Sequence, residues 1–106
     1  MFVRHVSIHL KSGNEAEFNR IIEKEVMPLL KRQKGFRDEI VLTNPGATEV
    51  IGISIWEQRE NAEAYTRETY PQVHQLLTKV LDGAPLVKTY ELSSSTIQKL
   101  AAHASA

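Results

Sequence analysis

The chain has 106 residues, of which 42% are hydrophobic and 25% are charged, so its length and composition suit a single globular domain. Thirteen basic residues balance thirteen acidic ones, which excludes the strongly basic surface that nucleic-acid and anionic-membrane binders use. There is no cysteine, so disulfides, thiolate metal sites and thiol nucleophiles are excluded.

The sequence also lacks the features of membrane and secreted proteins. No stretch reaches the roughly 18 consecutive apolar residues that a membrane-spanning helix needs. The first ten residues include Arg4, His5 and His9 and lack the apolar core of a signal peptide. We therefore expect a cytoplasmic protein with neither membrane nor nucleic-acid partners.

The first part of the chain has a strand pattern followed by a helix pattern. Residues 2–10 alternate in hydropathy, as a half-buried strand does. From Phe18 to Leu30 apolar residues recur at helical spacing. We predict a helix here with a kink at Pro28 and an end at Gly35.

The rest of the chain predicts two strands, a helical region and a last strand. Residues 37–44 and 49–56 have strand composition with a turn between them, which predicts an antiparallel hairpin. Helical patterns cover residues 61–68 and 73–81, and residues 86–92 form the last predicted strand. The order β-α-β-β-α-β predicts an α+β fold, the ferredoxin-like antiparallel sheet.

Two segments are distinguished along the chain. Residues 1–93 form the predicted ferredoxin-like domain, and residues 94–106 form a C-terminal extension. Ser95 and Gln98 have the spacing of a helix cap. The extension is therefore predicted to be an extra short C-terminal helix.

Strand alternation predicts which residues share each face of the sheet. The face expected under the helices carries Val6, Ile8, Ile51, Ile53 and Ile55. The opposite face carries Val3, His5, Ser7, His9, Val50, Gly52, Ser54 and Trp56. This opposite set is too apolar for water and too polar for a dry core, so we expect a second copy of the chain to cover it, in a homodimer. Arg4 is the one misfit in the apolar row of the first strand.

Two histidines share a face of the first strand. His5 and His9 are four residues apart, which separates their Cα atoms by about 13 Å. That is too far for one metal ion, so we expect no metal site. They are interpreted either as hydrogen-bonded residues at a subunit interface or as a base or ligand-orienting group near neutral pH.

Aromatic residues supply further candidates. Trp56 is interpreted as a packing residue or as part of a binding wall. Gly52, in the middle of a strand, indicates either a close approach to the backbone or a bulge. Tyr65, Tyr70 and His74 are either core residues or the wall of a pocket in which a histidine accepts a phenolic proton.

Several of these segments resemble the antibiotic biosynthesis monooxygenase family of dimeric α/β barrels. The resemblance is carried by residues 51–56, by Asn61 to Tyr65 and by the pair Gly35-Phe36, and it extends over residues 1–93. It implies a ferredoxin-like dimer whose cleft, between the sheet and the second helix, binds a planar or aromatic small molecule.

The resemblance also implies a function and a set of site residues. It implies a cofactor-independent monooxygenase, an oxidoreductase that uses molecular oxygen on a small phenolic, quinol or polyketide-like compound without cofactor or metal. The alternative is a non-catalytic, ligand-binding or stress-associated dimer. Haem-degrading members carry an asparagine and a tryptophan where this sequence has Val6 and Tyr65, so we do not expect haem degradation. The catalytic candidates are His74, His9 and Asn61, and the substrate-binding candidates are Trp56, Tyr65, Tyr70, His5 and Gly52.

Overall fold

The structure is a computed structural model that describes residues 1–44, 46 and 48–97. Four strands form one antiparallel sheet: β1 (Phe2–His9), β2 (Phe36–Thr43), β3 (Glu49–Trp56) and β4 (Leu86–Glu91). Their order across the sheet is β2-β3-β1-β4, which places β1 and β3 in the centre. This is the predicted α+β, ferredoxin-like topology.

The helices follow the predicted positions with one local departure. They are α1 (Glu15–Ile21), a π-helical segment (Ile22–Val26), α2 (Met27–Lys31), α3 (Arg59–Glu68), α4 (Tyr70–Leu77) and a 3-10 turn (Thr78–Val80). Pro28 lacks the helical N–H and crowds the turn before it, and the widened π-helical segment lies in that turn. Within the described part of the chain, no helix combines the length and apolarity needed to cross a bilayer.

The pairing of β1 with β3 decides which residues share a face. Phe2 pairs with Trp56 and Val6 pairs with Gly52, and directly paired residues lie on the same face. We call the helix-covered side the inner face and the opposite side the outer face. The face assignment predicted for the third strand is wrong: the inner face carries Val50, Gly52, Ser54 and Trp56, and the outer face carries Ile51, Ile53 and Ile55. The isoleucine row is the more apolar of the two rows of β3, so hydropathy alone favoured its burial.

A β-bulge near the start of β2 changes the alternation of its side chains. The pairing with β3 skips one residue between Phe36 and Asp38, so Arg37 is the extra residue of the bulge. Phe36 and Glu39 therefore both lie on the inner face, although regular alternation would place Phe36 with Asp38.

The hydrophobic core lies between the inner face and the helices. Its largest fully buried side chains are Trp56, Phe18, Ile21 and Val80. They come from β3, α1 and the 3-10 turn, so the core joins the sheet to both helical regions.

The predicted C-terminal helix lies mostly outside the described residues. After β4, residues 92–97 are described and are not helical. Within them, the Ser95 Oγ accepts a hydrogen bond from the Ile97 N–H at 3.0 Å. Gln98 and the residues after it lie outside the described part of the chain.

Candidate functional site

A cavity lies between the inner face of the sheet and the helices. Its volume is about 70 Å³, several times the space that one water molecule needs. Apolar side chains form most of its lining: Val6, Ile8, Phe18, Ile22, Val26, Leu30, Val41, Val50, Val73, Leu77, Leu81 and Pro85. A mostly apolar wall with a few polar groups is typical of small-molecule sites.

Polar and ionisable side chains from both the sheet and the helices interrupt this wall. They are Arg4, Glu39, Ser54, Tyr65, Tyr70 and His74. Three of the strands and both C-terminal helices contribute to this set, so the polar part of the site depends on the complete fold.

Arg4 places a positive charge in the protein interior. Its side chain comes from the centre of β1 and is only 3% exposed. The Nε atom donates a hydrogen bond to the Thr66 Oγ1 at 3.1 Å. The Cζ atom lies 4.0 Å from the ring centroid of Tyr70 and 5.4 Å from that of Tyr65. These contacts are cation–π interactions, which favour the charged guanidinium.

Glu39 brings a carboxyl group to the same cavity. Burial raises the pKa of Glu39 to about 7, although the nearby Arg4 charge acts in the opposite direction. A β-carbon at Gly52 would lie only 3.3 Å from the Glu39 Oε1, so the missing side chain of Gly52 leaves room for this carboxyl group. Near neutral pH both the protonated and the ionised form of Glu39 are populated.

Aromatic rings continue from the core to the cavity wall. Ring centroids are 5.0 Å apart between Trp56 and Tyr65, 6.1 Å between Tyr65 and Tyr70, and 6.3 Å between Tyr70 and His74. Burial raises the pKa of Tyr65 well above its usual range, so its hydroxyl stays protonated. Trp56 stands behind Tyr65, is 0% exposed, and donates a hydrogen bond from Nε1 to the Ser54 Oγ at 2.9 Å.

Asn61 lies at the start of α3, away from the cavity lining. Its Oδ1 accepts a hydrogen bond from the Gln58 N–H at 3.2 Å. Its side chain also packs against Gly35, which has a φ of 78°, and a β-carbon there would lie 2.1 Å from the Asn61 Oδ1. These contacts connect the first turn of α3 to the residues before β2.

His5 and His9 lie on the outer face, on the opposite side of the sheet from the cavity. The ring of His5 contacts Tyr90 edge to face, with centroids 6.3 Å apart. Its Nδ1 is buried and has no hydrogen-bond partner among the described residues. His9 is exposed at the end of β1. In the described ranges, no group of three or more His, Asp or Glu side chains could hold a metal ion.

The structure brings together some of the predicted site residues and separates others. The cavity contains Gly52, Tyr65, Tyr70 and His74. Trp56, Asn61, His5 and His9 lie elsewhere, in the core, at the start of α3 and on the outer face. Arg4 and Glu39 were not among the candidates. A charged residue in an apolar strand row was the available signal for Arg4, whereas the bulge in β2 concealed Glu39.

The sheet and the helices on its inner face, with a cavity between them, define a ferredoxin-like α+β protein. A family model described as antibiotic biosynthesis monooxygenase matches residues 1–75. The match covers more than half of the chain, which therefore belongs to the antibiotic biosynthesis monooxygenase family, as its sequence predicts. No curated protein matches the sequence.

Solved structures share the fold at low sequence identity. A Nitrosomonas europaea protein of unknown function is 15% identical with a TM-score of 0.75, over 91% of this chain and 92% of that chain. A monooxygenase from the ActVA-Orf6 gene of Streptomyces coelicolor, in complex with nanaomycin D, is 14% identical with a TM-score of 0.75, over 91% and 90%. A variant of MhuD with two manganese protoporphyrin IX molecules per active site is 16% identical with a TM-score of 0.74, over 91% and 98%. At these identities the likeness concerns the fold.

Proposed function

We propose that this protein is a cofactor-independent monooxygenase that oxidises a small phenol or quinol with molecular oxygen. Family membership supports this class of reaction. The observation that carries the proposal is the cavity itself, in which Arg4, Glu39 and His74 interrupt an apolar and aromatic wall. These groups suit a ring that must lose a proton before it reacts with oxygen.

The size of the cavity favours a substrate with a single ring. The volume of about 70 Å³ is smaller than the roughly 150 Å³ of a cavity that binds benzene, so even one ring requires Tyr65, Tyr70 or neighbouring side chains to move, and fused rings require a larger movement. We therefore propose a one-ring phenol or hydroquinone, within the broader class of phenolic, quinol and polyketide-like compounds that the resemblance implies.

Charge in the cavity favours the anionic form of such a substrate. The Arg4 guanidinium is buried, and electrostatic interactions are stronger where water is excluded. A positive charge at this position stabilises a phenolate more than the neutral phenol, and so lowers the pKa of the bound hydroxyl. The apolar side chains and the Tyr65 and Tyr70 rings hold the aromatic ring.

Two side chains are positioned to accept the phenolic proton. His74 lines the cavity from α4, and a neutral imidazole is an effective base near pH 7. Glu39 lines it from β2, and burial raises its pKa to about 7, which also suits proton transfer at neutral pH. His74 is the proposed base, with Glu39 as the group that competes for this role.

The proposed reaction balances with oxygen as the only oxidant. The phenolate transfers one electron to oxygen, which gives a phenoxyl radical and superoxide. These two radicals combine to form a carbon–oxygen bond on the ring. The base returns its proton to the peroxide, the oxygen–oxygen bond then breaks, and the departing hydroxide takes up the ring C–H proton to form water. One phenol and one oxygen molecule thus give one quinone and one water.

Oxygen uptake by the purified protein with one-ring phenols and hydroquinones tests this proposal. We expect oxygen consumption with quinone formation, followed by absorbance, and a loss of about 100-fold or more in rate for His74→Gln. His9→Gln is the matched control, because the same change on the outer face should leave the rate unchanged. Phenols that bind without any oxygen consumption would contradict the proposal and favour the non-catalytic, ligand-binding alternative.

We also propose that the protein forms a homodimer through its outer face. Several large apolar side chains on this face are well exposed: Ile40 (38%), Leu42 (48%), Leu86 (59%) and Tyr90 (51%). Ile40 and Leu42 lie on one edge strand and Leu86 and Tyr90 on the other, and large exposed apolar side chains grouped on one face are typical of interaction sites in soluble proteins. His5 lies on the same face, and its buried Nδ1 has no hydrogen-bond partner among the described residues. A partner surface would help to supply one.

A cytoplasmic location is proposed on compositional grounds. The sequence has no cysteine, so the fold does not depend on an oxidising compartment. Cell fractionation followed by immunodetection of the native protein tests this location, and recovery in the secreted or membrane fraction would contradict it.

A further inference from the structure

The Arg4 guanidinium is a buried cation for which no described carboxylate forms an ion pair. Its side chain is 3% exposed and lines the cavity. Its one hydrogen bond to a described residue, to Thr66, uses Nε, which leaves Nη1 and Nη2 without an acceptor in the described part of the chain. A buried charge costs free energy unless it is paired. The cavity therefore contains a positive group that lacks an anion.

Glu39 does not supply this anion. The two side chains interact through space but are not within ion-pair distance. The other titratable groups around the cavity are Tyr65 on α3 and Tyr70 and His74 on α4, and none of these side chains is a carboxylate. Burial also disfavours the ionised form of Glu39, so the site as a whole tends toward a net positive charge.

We propose that the cavity binds a small aromatic acid whose carboxylate pairs with the Arg4 guanidinium, and that Glu39 takes up a proton as this ligand binds. The inference rests on the proposed function for the location of the site. It adds a carboxylate to the phenolic ring of the proposed substrate. Binding, however, does not require turnover, so the two can be tested separately.

The chemistry of both groups supports this pairing. A planar guanidinium binds a carboxylate through two parallel hydrogen bonds, and Nη1 and Nη2 are the donors that remain. A ligand carboxylate beside Arg4 also adds a negative charge near Glu39. Two carboxylates in one poorly solvated site cannot both remain ionised at low cost. Glu39 is the one expected to become protonated, because its ionised form is already disfavoured.

Titration calorimetry with matched acid and ester ligands tests the inference. The probes are 2-, 3- and 4-hydroxybenzoate and their methyl esters, measured without oxygen so that binding is separated from oxidation. At pH 7.5 we expect at least one acid to bind about tenfold or more tightly than its ester. Repeating the titration in buffers of different ionisation enthalpy should reveal uptake of about half a proton or more per ligand.

Four variants separate the roles of the two residues. Arg4→Met keeps a long side chain and should remove the preference for the acid over the ester. Arg67→Met is its control, since that arginine is exposed on α3. Glu39→Gln should abolish proton uptake but keep the preference for the acid, and Glu63→Gln, on the exposed side of α3, should change neither. The acid–ester comparison in the unmodified protein needs no variant to fold.

The outcomes distinguish this inference from the proposed function. Esters that bind as well as every acid, or no binding by any acid, would overturn the inference, whatever the oxygen assay shows. Proton uptake that persists in Glu39→Gln would overturn the role of Glu39. Selective binding of an acid without oxygen consumption would support the inference and contradict the oxidation.

Discussion

The two faces of the sheet are formed by the same four strands but differ in the side chains that they carry. The inner face is covered by helices and nevertheless carries a buried arginine and a glutamate. The outer face is covered by none of the described elements and nevertheless carries exposed isoleucine, leucine and tyrosine side chains among polar ones such as His5 and Lys88. In a sheet that had only to form a core, apolar side chains would replace Arg4 and Glu39 inside, and polar side chains would replace the exposed isoleucine and leucine residues outside. The comparison teaches that polar groups retained inside and apolar groups left outside both indicate function.

The largest expected effect on the free energy of unfolding concerns Trp56, which is buried on the inner face. Trp56→Ala removes the largest fully buried side chain and its contacts with Phe36 and Tyr65. We expect a loss of about 3–5 kcal/mol in the free energy of unfolding, the usual cost of truncating a large buried aromatic, measured by urea denaturation. Trp56→Phe, which keeps most of the ring packing, should lose clearly less. Equal losses in the two variants would show that packing is not the main contribution of Trp56.

A second effect, of about 3 kcal/mol in the free energy of unfolding, concerns the ionisation of Glu39 on the inner face. Folding raises the pKa of Glu39 from its usual 4.5 to about 7, so the folded state binds more protons than the unfolded state between these values. The resulting stabilisation is complete below pH 4.5 and is lost as the pH rises through 7, and each pKa unit is worth ~1.4 kcal/mol.

Urea denaturation between pH 4.5 and 8 measures this dependence. Glu39→Gln carries no titrating carboxyl group and should remove this contribution to the decline, whereas Glu63→Gln on the exposed side of α3 should retain it. A decline of the same size in Glu39→Gln would assign the pH dependence to another group.

The smallest effect on the stability of a subunit is expected on the outer face. Ile53→Lys introduces a charge beside His5 and Ile40, its neighbours on the adjacent strands, and its side chain can reach water in the single chain. We expect a change below about 1 kcal/mol in the unfolding of the isolated subunit, but loss of self-association in sedimentation velocity. Glu63→Lys, with the introduced lysine on α3, should sediment like the unmodified protein. If the unmodified protein sediments as a monomer, the proposed dimer interface on the outer face is wrong.

The sequence predicted the fold well because its elements have clear periods. The two alternations, of period two in the strands and near 3.6 in the helices, predict the β-α-β-β-α-β order that the structure contains. The third strand was predicted with its observed bounds, Glu49–Trp56. Which of its faces is buried was predicted wrongly, because the isoleucine row is the more apolar one, whereas pairing with β1 places the other row under the helices.

The candidate site was less accessible to sequence reasoning for a physical reason. Tyr65, Tyr70 and His74 were found because they lie close together in the second helical region of the sequence. All three line the cavity. Arg4 was noticed only as a misfit, since its role depends on Thr66 and Tyr70, which lie far along the chain. The face on which Glu39 lies could not be predicted. No amino-acid composition reliably marks a β-bulge, and a bulge changes the face of every residue after it.

The bulge at Arg37 also decides which acid the cavity contains. β2 is an edge strand that pairs only with β3 within the sheet, so a slip by one residue would exchange its two faces. In the slipped register Asp38 and Ile40 would face the helices, and Glu39 would face outward. Arg37 forms an ion pair with Glu57 at 3.0 Å, next to the end of β3. This surface contact thus helps to keep the chain in the register that presents a glutamate, and not an aspartate, to the cavity.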